Sequence, residues 1–397
     1  MEIGLVGKPN VGKSTFYSAA TLAQAQIGNY PFTTRDPNRG VAYVKMPCPH
    51  TEFDLECNPD NSDCIDGIRY IPVEVIDVAG IVPDAHKGRG LGNRFLDDLR
   101  QAEVLIHIVD ASGGTSEEGD VVPLKSHDPV QDIDFLDNEV SHWIKDLLFK
   151  DWRRLARQVG MSGAKLEKVI GDKLTGLGIR EYHVHNAMRE VNPPESMMKW
   201  EEEHLLALAK ALRKVSKPII IAANKSDLIE DADLDPLREA AKGDLFIPTA
   251  ADYELALRRA ADHGLVHYTP GSGDFEITEP EKMTPPQLHA LEKIRDFLKT
   301  HGSTGVQACI EKAVYEILDL IVVYPVEDET HLTDHKGNVL PHAYLMPKGS
   351  TAKDLAYKVH TDLGDHFIRA IDIRTKRVVG ADHELKNNDI IKIVSHK

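Results

Sequence analysis

The octet Gly7-Lys8-Pro9-Asn10-Val11-Gly12-Lys13-Ser14 constrains this chain more than any other feature. It fits the pattern G-x-x-x-x-G-K-[ST], directly after the apolar run Glu2–Val6 and at the start of a helix-like stretch, Lys13–Leu22. Glycines at both ends let backbone N–H groups close around phosphate oxygens, and the following helix adds the positive end of its dipole. The expected nucleotide contacts in this loop are Lys8, Asn10, Val11, Gly12, Lys13, Ser14 and Thr15. Lys13 is expected to reach the β- and γ-phosphates and to act in catalysis, and the Ser14 hydroxyl to ligate Mg²⁺. The competing explanation is a glycine turn that happens to precede Lys-Ser, and the flanking strand and helix argue against it.

Two further motifs follow in the order a nucleotide switch requires. The apolar strand-like run at 73–76 ends in Asp77-Val78-Ala79-Gly80. A carboxylate at such a strand tip holds Mg²⁺, and the Gly80 N–H is placed to touch the γ-phosphate. Next, the apolar run at 218–223 ends in Asn224-Lys225-Ser226-Asp227. The Asp227 carboxylate accepts from guanine N1–H and from its 2-amino group, whereas adenine offers neither donor and would leave the carboxylate unpaired. Lys225 is expected to lie over the base and Asn224 to tie the loops together. After a third apolar run, Thr249-Ala250-Ala251 offers backbone N–H groups of Ala250 and Ala251 to the guanine oxygen. A helix-capping Asn/Asp turn is the bland reading of the tetrad.

β-branched runs at 41–44, 71–76, 104–109, 218–223 and 245–247 alternate with helical stretches, which implies a mostly parallel sheet with crossover helices. More than a hundred residues separate the runs at 104–109 and 218–223. Ile133, Leu136, Val140, Ile144, Leu147, Trp152, Leu155 and Val159 recur there at helical spacing, and 201–215 is helical in pattern again. The expected division is a nucleotide domain at 1–114 and 216–320, a helical insertion at 115–215, and a β-grasp tail at 321–397. The insertion reads either as a packed subdomain or as an arm for a partner. Helices are expected at 286–300, 305–320 and 351–359, and tail strands at 321–326, 343–346, 367–373 and 390–394.

With 397 residues the chain is too long for one ordinary core. Its apolar runs are strand-length, so no membrane span is expected, and four cysteines exclude a disulfide scaffold; a cytoplasmic protein is implied. A net charge of −16 disfavours a whole-surface nucleic-acid binder, and no DNA partner is expected. From Leu320 onward, however, eleven basic residues balance eleven acidic ones, so the tail can meet RNA locally. Cys48, His50, Cys57 and Cys64 lie together in sequence without a C-x₂-C pair. Metal site, disulfide pair and reduced thiols all remain open for them.

Beyond these motifs, Asn29-Tyr30-Pro31-Phe32-Thr33-Thr34, Pro37-Asn38-Arg39-Gly40 and the run from Gly88 to Leu96 resemble the Obg-like translation-factor GTPases, most of all their YchF subgroup. The likeness extends weakly into His127-Asp128-Pro129 and Asp132-Ile133. It implies that Thr34 (or its neighbour Thr33) joins Mg²⁺ and γ-phosphate, and that Gly88–Gly92 forms switch II. Members of that subgroup typically replace the Lys and Asp of the guanine tetrad and prefer ATP; this chain keeps Lys225 and Asp227, which implies GTP. Ile81 stands where Ras-like switches place the glutamine that orients water, so that role falls elsewhere, with His86 the nearest ionisable candidate. Asn10 resembles a position that ligates K⁺ in related GTPases. The tail resembles a TGS domain over Pro347–Ala356, Val359–Gly364 and His383–Ile391, which implies contact with the ribosome or RNA through the tail and the helical region. The expected activity is slow hydrolysis of GTP to GDP by a molecular switch; an ATPase of the same architecture and a nucleotide-gated RNA-binding scaffold are the alternatives.

Overall fold

The computed structural model describes residues 1–22, 38–78, 98–194 and 196–396. Thr33, Thr34, Gly80, Ile81, His86 and the glycine run at 88–92 lie outside the described residues. The described chain divides into two compact units. One comprises residues 1–22, 38–40, 74–78 and 98–309; the other comprises 41–73 and 310–396.

In the first unit, β1 (Glu2–Val6), the end of β4 (Ile68–Asp77), β5 (Val104–Asp110), β6 (Ile219–Asn224) and β7 (Leu245–Pro248) run parallel in the order β4-β1-β5-β6-β7. β5 and β6 are buried along their whole length, which fits their near-continuous apolar sequences: a parallel sheet covered on both faces has no solvent side to encode. Register decides what meets at the sheet's carboxyl edge. Leu5 lies beside Asp77, Asp110 beside Asn224, and Ala223 beside Pro248, so all the strand-tip motifs open onto one edge.

Helices α1 (Lys13–Thr21), α2 (Val130–Phe149), α3 (Trp152–Ser162), α4 (Leu166–Leu174), α5 (Glu181–Val191) and α6 (Glu202–Ser216) belong to the same unit. α6 shows why such a segment is helical: Leu205, Leu208, Ala209 and Leu212 form one buried face, Glu202 and Glu203 fill the first turn, and Arg213 and Lys214 the last, matching the helix dipole. Trp143, Trp152, Ile170, Val184, Trp200 and Leu208 share one continuous core with Val6, Leu105 and Ile221 of the sheet, so the residues between β5 and β6 pack as part of that core. The Trp152 and Trp200 rings lie 4.9 Å apart within it. After α7 (Asp235–Ala240), α8 (Ala251–Asp262) follows β7; then come a short antiparallel pair, β8 (Val266–His267) with β9 (Glu276–Ile277), α9 (Pro285–His301) and α10 (Val306–Lys312). Where one helix is expected over 305–320, α10 gives way at Ala313–Ile317 to a wide turn whose Leu318 N–H bonds the Ala313 carbonyl at 3.0 Å.

In the second unit a five-stranded mixed sheet has the order β11-β10-β14-β12-β13, from β10 (Leu320–Val326), β11 (Tyr344–Pro347), β12 (Phe367–Asp372), β13 (Arg377–Val379) and β14 (Asp389–Ser395). Its central pair, β10 and β14, is parallel and the others antiparallel. Helix α11 (Ala352–Val359) closes one face through Ala352 and Leu355, against Ile321, Val323, Ala370 and Ile391. Its start is capped reciprocally by Thr351 and Asp354. This is the β-grasp read from the sequence. Most of β2 (Arg39–Pro47), β3 (Asp63–Ile65) and the first part of β4 also belong to this unit, β3 pairing antiparallel with β4.

Candidate functional site

β1 delivers the chain to the phosphate loop, and the loop's backbone explains its glycines. Gly12 caps α1 with φ of +94°, a left-handed conformation that L side chains rarely adopt, and a Cβ there would collide with the Asn224 carboxamide. A Cβ on Gly7 would come 2.6 Å from the Ile108 carbonyl of β5. Val11 is buried, whereas Ser14 at the first turn of α1 is exposed. The Lys13 ammonium forms an ion pair with Asp77 at the tip of β4. Lys13 and Asp77 are thus paired across the tips of β1 and β4, with Ser14 beside Lys13 in the first turn of α1.

The second half of the site hangs on the tips of β5 and β6. Asn224 is buried; its Nδ2 donates to the Val11 carbonyl at 2.9 Å and its Oδ1 accepts from the Ala251 N–H at 3.0 Å. One side chain therefore joins the phosphate loop to the start of α8. Lys225, itself left-handed at φ +60°, donates to the Asn10 carbonyl at 2.9 Å and to Asp110 Oδ2 at 2.7 Å. Asp110 is fully buried and also accepts from Ser112 and Thr115. Burial opposes its charge, but the hydrogen bonds from Lys225, Ser112 and Thr115 outweigh burial and hold the carboxyl below its ordinary value. Asp227 is the opposite case. Burial, and then the nearby Asp252 carboxylate, push its pKa up, only partly relieved by its own backbone N–H. It is a half-buried carboxylate whose own backbone N–H and the nearby Lys225 charge do not outweigh burial and Asp252.

Lys8 is placed differently from its neighbours. Its ammonium is buried and turned toward the residues after β5: it lies 2.7 Å from Asp132 Oδ1, donates to the Ser116 carbonyl at 2.6 Å, and is 3.3 Å from His127 Nε2. His127 in turn meets Asp132 at 2.9 Å. Only the Lys8 backbone is therefore left for a phosphate. Beside it, His107 on β5 is fully buried, and burial followed by the Lys8 charge pushes its pKa down to about 3, so its imidazole is neutral. Asn10 is exposed, with its Nδ2 donating to the Gly119 carbonyl at 2.8 Å.

At the guanine-oxygen position expected from the sequence, the structure differs. The Ala250 N–H donates to the Thr304 carbonyl at 2.9 Å, and the Ala251 N–H is taken by Asn224. Both donors are engaged within the protein, and a base oxygen would have to compete for them. Thr304 is held there by Glu254, which also accepts from Tyr268 at 2.7 Å and Arg258 at 2.7 Å. Asp110, Thr304 and Glu254 were not singled out by the sequence. Asp110 alone carried a signal, a carboxylate ending an apolar strand as Asp77 does.

Comparison with known proteins places this geometry in context. The family model described as a 50S ribosome-binding GTPase matches residues 2–148, that of an Obg-like GTPase YGR210-like, G4 motif-containing domain matches 222–328, and that of the TGS domain matches 331–395. The chain is 55% identical to an uncharacterized GTP-binding protein of Methanocaldococcus jannaschii, over 99% of this chain and 98% of that one. It is 30% identical to an Obg-like ATPase 1 of Rattus norvegicus over 93% of this chain and 82% of the relative. Among solved structures, a GTP-binding protein of Pyrococcus horikoshii matches with a TM-score of 0.80 and 45% identity over the full length of both chains. The Schizosaccharomyces pombe YchF GTPase shares the fold, with a TM-score of 0.59 at 19% identity over 99% of this chain and 97% of that one.

Proposed function

This chain belongs to the Obg-like, YchF-related family of GTP-binding proteins with a C-terminal TGS domain, and we propose that it hydrolyses GTP to GDP and phosphate as a molecular switch. The observation that carries the choice of base is Asp227: a half-buried carboxylate with a raised pKa, closing a tetrad whose Asn224 and Lys225 are already locked to the phosphate loop. Guanine N1–H and the 2-amino group are the donors such a carboxylate needs, and adenine has no counterpart. In this reading Lys13 leaves Asp77 for the phosphates and stabilises charge developing on the β–γ bridge. Lys8, Val11, Gly12, Ser14 and Thr15 bind phosphate through the backbone, and Thr34 and Gly80 sense the γ-phosphate.

The exposed Ser14 hydroxyl and the Asp77 carboxylate suit Mg²⁺ as hard oxygen ligands, with Thr34 a third. Bound there, the ion would neutralise the β- and γ-oxygens. The Asn10 side chain keeps its Oδ1 oxygen for K⁺, since its Nδ2 is committed to Gly119; equal turnover in sodium and potassium would dispose of that role. The test of the whole reading is titration with fluorescent GTP and ATP analogues. GTP should bind at least tenfold more tightly; equal affinities would favour the ATPase named among the relatives.

The output, in this proposal, is binding to the ribosome or its RNA through the TGS domain and the helical region. Two exposed basic faces support it on an otherwise acidic chain: Arg153, Arg154 and Arg157 on α3, and Arg369, Lys376 and Arg377 on the β12–β13 hairpin beside exposed Ile368 and Val378. Ribosome co-sedimentation with GDP and with a non-hydrolysable GTP analogue tests it; no pelleting in either state would refute it. Negligible phosphate release with ribosomes present would favour the scaffold reading instead.

A further inference from the structure

The second unit contains a cluster that the nucleotide chemistry does not use. Four side chains from three different places in the chain converge there. Cys48 follows β2, His50 lies in the single helical turn Pro49–Glu52, Cys57 sits in the irregular stretch after it, and Cys64 is on β3. One ligand atom from each lies within 4.8 Å of all the others. Cys48 Sγ and Cys57 Sγ are 3.9 Å apart, Cys57 Sγ lies 3.3 Å from His50 Nδ1, and Cys64 Sγ lies 3.6 Å from the same nitrogen.

Those separations decide between the options open to three thiols. A disulfide needs sulfurs about 2.0 Å apart, and all three cysteines are free. Zinc–sulfur bonds of about 2.3 Å and a zinc–nitrogen bond of about 2.0 Å, arranged tetrahedrally, put sulfurs about 3.8 Å apart and sulfur about 3.5 Å from nitrogen. The 3.9, 3.3 and 3.6 Å spacings are close to the edges of such a tetrahedron, and every other pair lies within 4.8 Å. The pair Cys48-x-His50 supplies the short chelate that a C-x₂-C would otherwise give, because the tight turn at Pro49–Glu52, which Cys48 caps, keeps the imidazole and the Cys48 sulfur within 4.8 Å of each other.

Arg69 is a second, independent observation. It is completely buried, and its guanidinium donates to Cys48 Sγ at 3.3 Å, Ser62 Oγ at 3.1 Å and the Leu340 carbonyl at 3.0 Å, with the Tyr324 ring 5.5 Å away. Among the described residues no carboxylate pairs with it. A buried guanidinium requires a compensating negative charge. Three thiolates and a neutral imidazole around a divalent cation carry a net charge of minus one, and Arg69 touches one of those thiolates. Ligand type and charge agree, and a thiolate-rich tetrahedral set selects zinc over harder divalent ions.

We propose that Cys48, His50, Cys57 and Cys64 bind one Zn²⁺ ion through three thiolates and His50 Nδ1, with Arg69 as the charge-balancing neighbour. The site is structural, since its four protein ligands leave no open position. Its work is to fix a stretch with little core of its own: between His50 and Asn61 every residue is at least partly exposed. That stretch nevertheless donates the Asn58 and Asp60 N–H groups to the Val339 and Pro341 carbonyls at 2.8 Å, and Asn61 exchanges two bonds with Ala343. The ion thereby holds the ladder that joins residues 58–61 to 339–343.

Metal analysis of the full-length protein, purified without added chelator, should find one equivalent of zinc per chain. Replacement by Co²⁺ should give the intense visible bands of a tetrahedral thiolate site, which Cys57→Ser and Cys64→Ser should abolish. Stripping the metal should accelerate hydrogen exchange at Asn58 and Asp60 and lower the melting temperature, with zinc restoring both. Should a variant fail to fold, the native protein still decides. Less than a tenth of an equivalent of zinc after purification from zinc-supplemented cells, or a Cys48–Cys57 disulfide found by mass spectrometry, would overturn the proposal. Since the readouts need no nucleotide, their failure leaves the GTP reading standing, and failure of that reading leaves them standing.

Discussion

Replacing Asp227 by Asn tests base recognition with almost no change in shape. The substitution removes the carboxylate that accepts from two guanine donors and puts an N–H₂ group against one of them. Hydrogen bonds to an ionised group are worth about 1.5–3 kcal/mol each. Ionised Asp227 is already disfavoured by burial and by Asp252, so the lower half of that range applies and the two together come to about 3–4.5 kcal/mol. At 1.4 kcal/mol per factor of ten, GTP affinity should fall by on the order of 100- to 1,500-fold. XTP, whose ring carries an oxygen where guanine has its amino group, should gain. The sign on the free protein is opposite. A carboxyl whose folded-state pKa is raised costs stability once pH exceeds that value, so Asp227→Asn should leave the melting temperature at neutral pH unchanged or higher. Titration with fluorescent GTP, GDP, XTP and ATP, together with thermal melts, gives both numbers. GTP affinity within twofold of wild type in a stable Asp227→Asn protein would refute the assignment of Asp227 as the base reader.

Lys225→Ala should be a stability variant as much as a binding one, because it strands the buried Asp110 carboxylate; removing one partner of a buried pair costs about 3–5 kcal/mol, readable in urea denaturation. Since the Asp110 pKa is depressed, the stability it contributes is present above its unfolded value and is lost as pH falls through the folded one, so wild type and Lys225→Ala should converge in strong acid. Lys8→Met should likewise destabilise by about 3 kcal/mol, since among the described residues Asp132 keeps only His127, and the same urea denaturation reads the loss. Burial lowers the pKa of Lys217 to about 8 even though its ammonium donates to the Arg100 and Ala102 carbonyls. The unfolded chain then binds the extra proton between about pH 8 and pH 10, so stability should rise with pH across that window by up to about 3 kcal/mol relative to Lys217→Met; parallel curves for the two proteins would refute this.

The parts of this molecule legible from its sequence are those whose physics is local or periodic. The phosphate loop announces itself because positive φ at Gly12 and close approach at Gly7 permit little else. β5 and β6 read as unbroken apolar runs because both faces are covered. The β-grasp read correctly because its strands alternate with turn residues around one capped helix. What sequence hides is which polar groups find each other across the fold. Lys8 looks like a loop residue facing nucleotide until it is seen paired with Asp132, far along the chain on α2. The N–H groups of Ala250 and Ala251 are spent on Thr304 and Asn224, and a backbone donor has no letter of its own in the sequence. The cysteines show the same limit from the other side. Spacing alone left metal, disulfide and free thiol open, because the chelate runs through Cys48-x-His50 and its charge partner Arg69 lies on β4. A buried guanidinium whose only ionisable hydrogen-bond partner among the described residues is a cysteine sulfur is a statement about three dimensions. That is why the zinc site can be argued from the fold when it could not be from the motif.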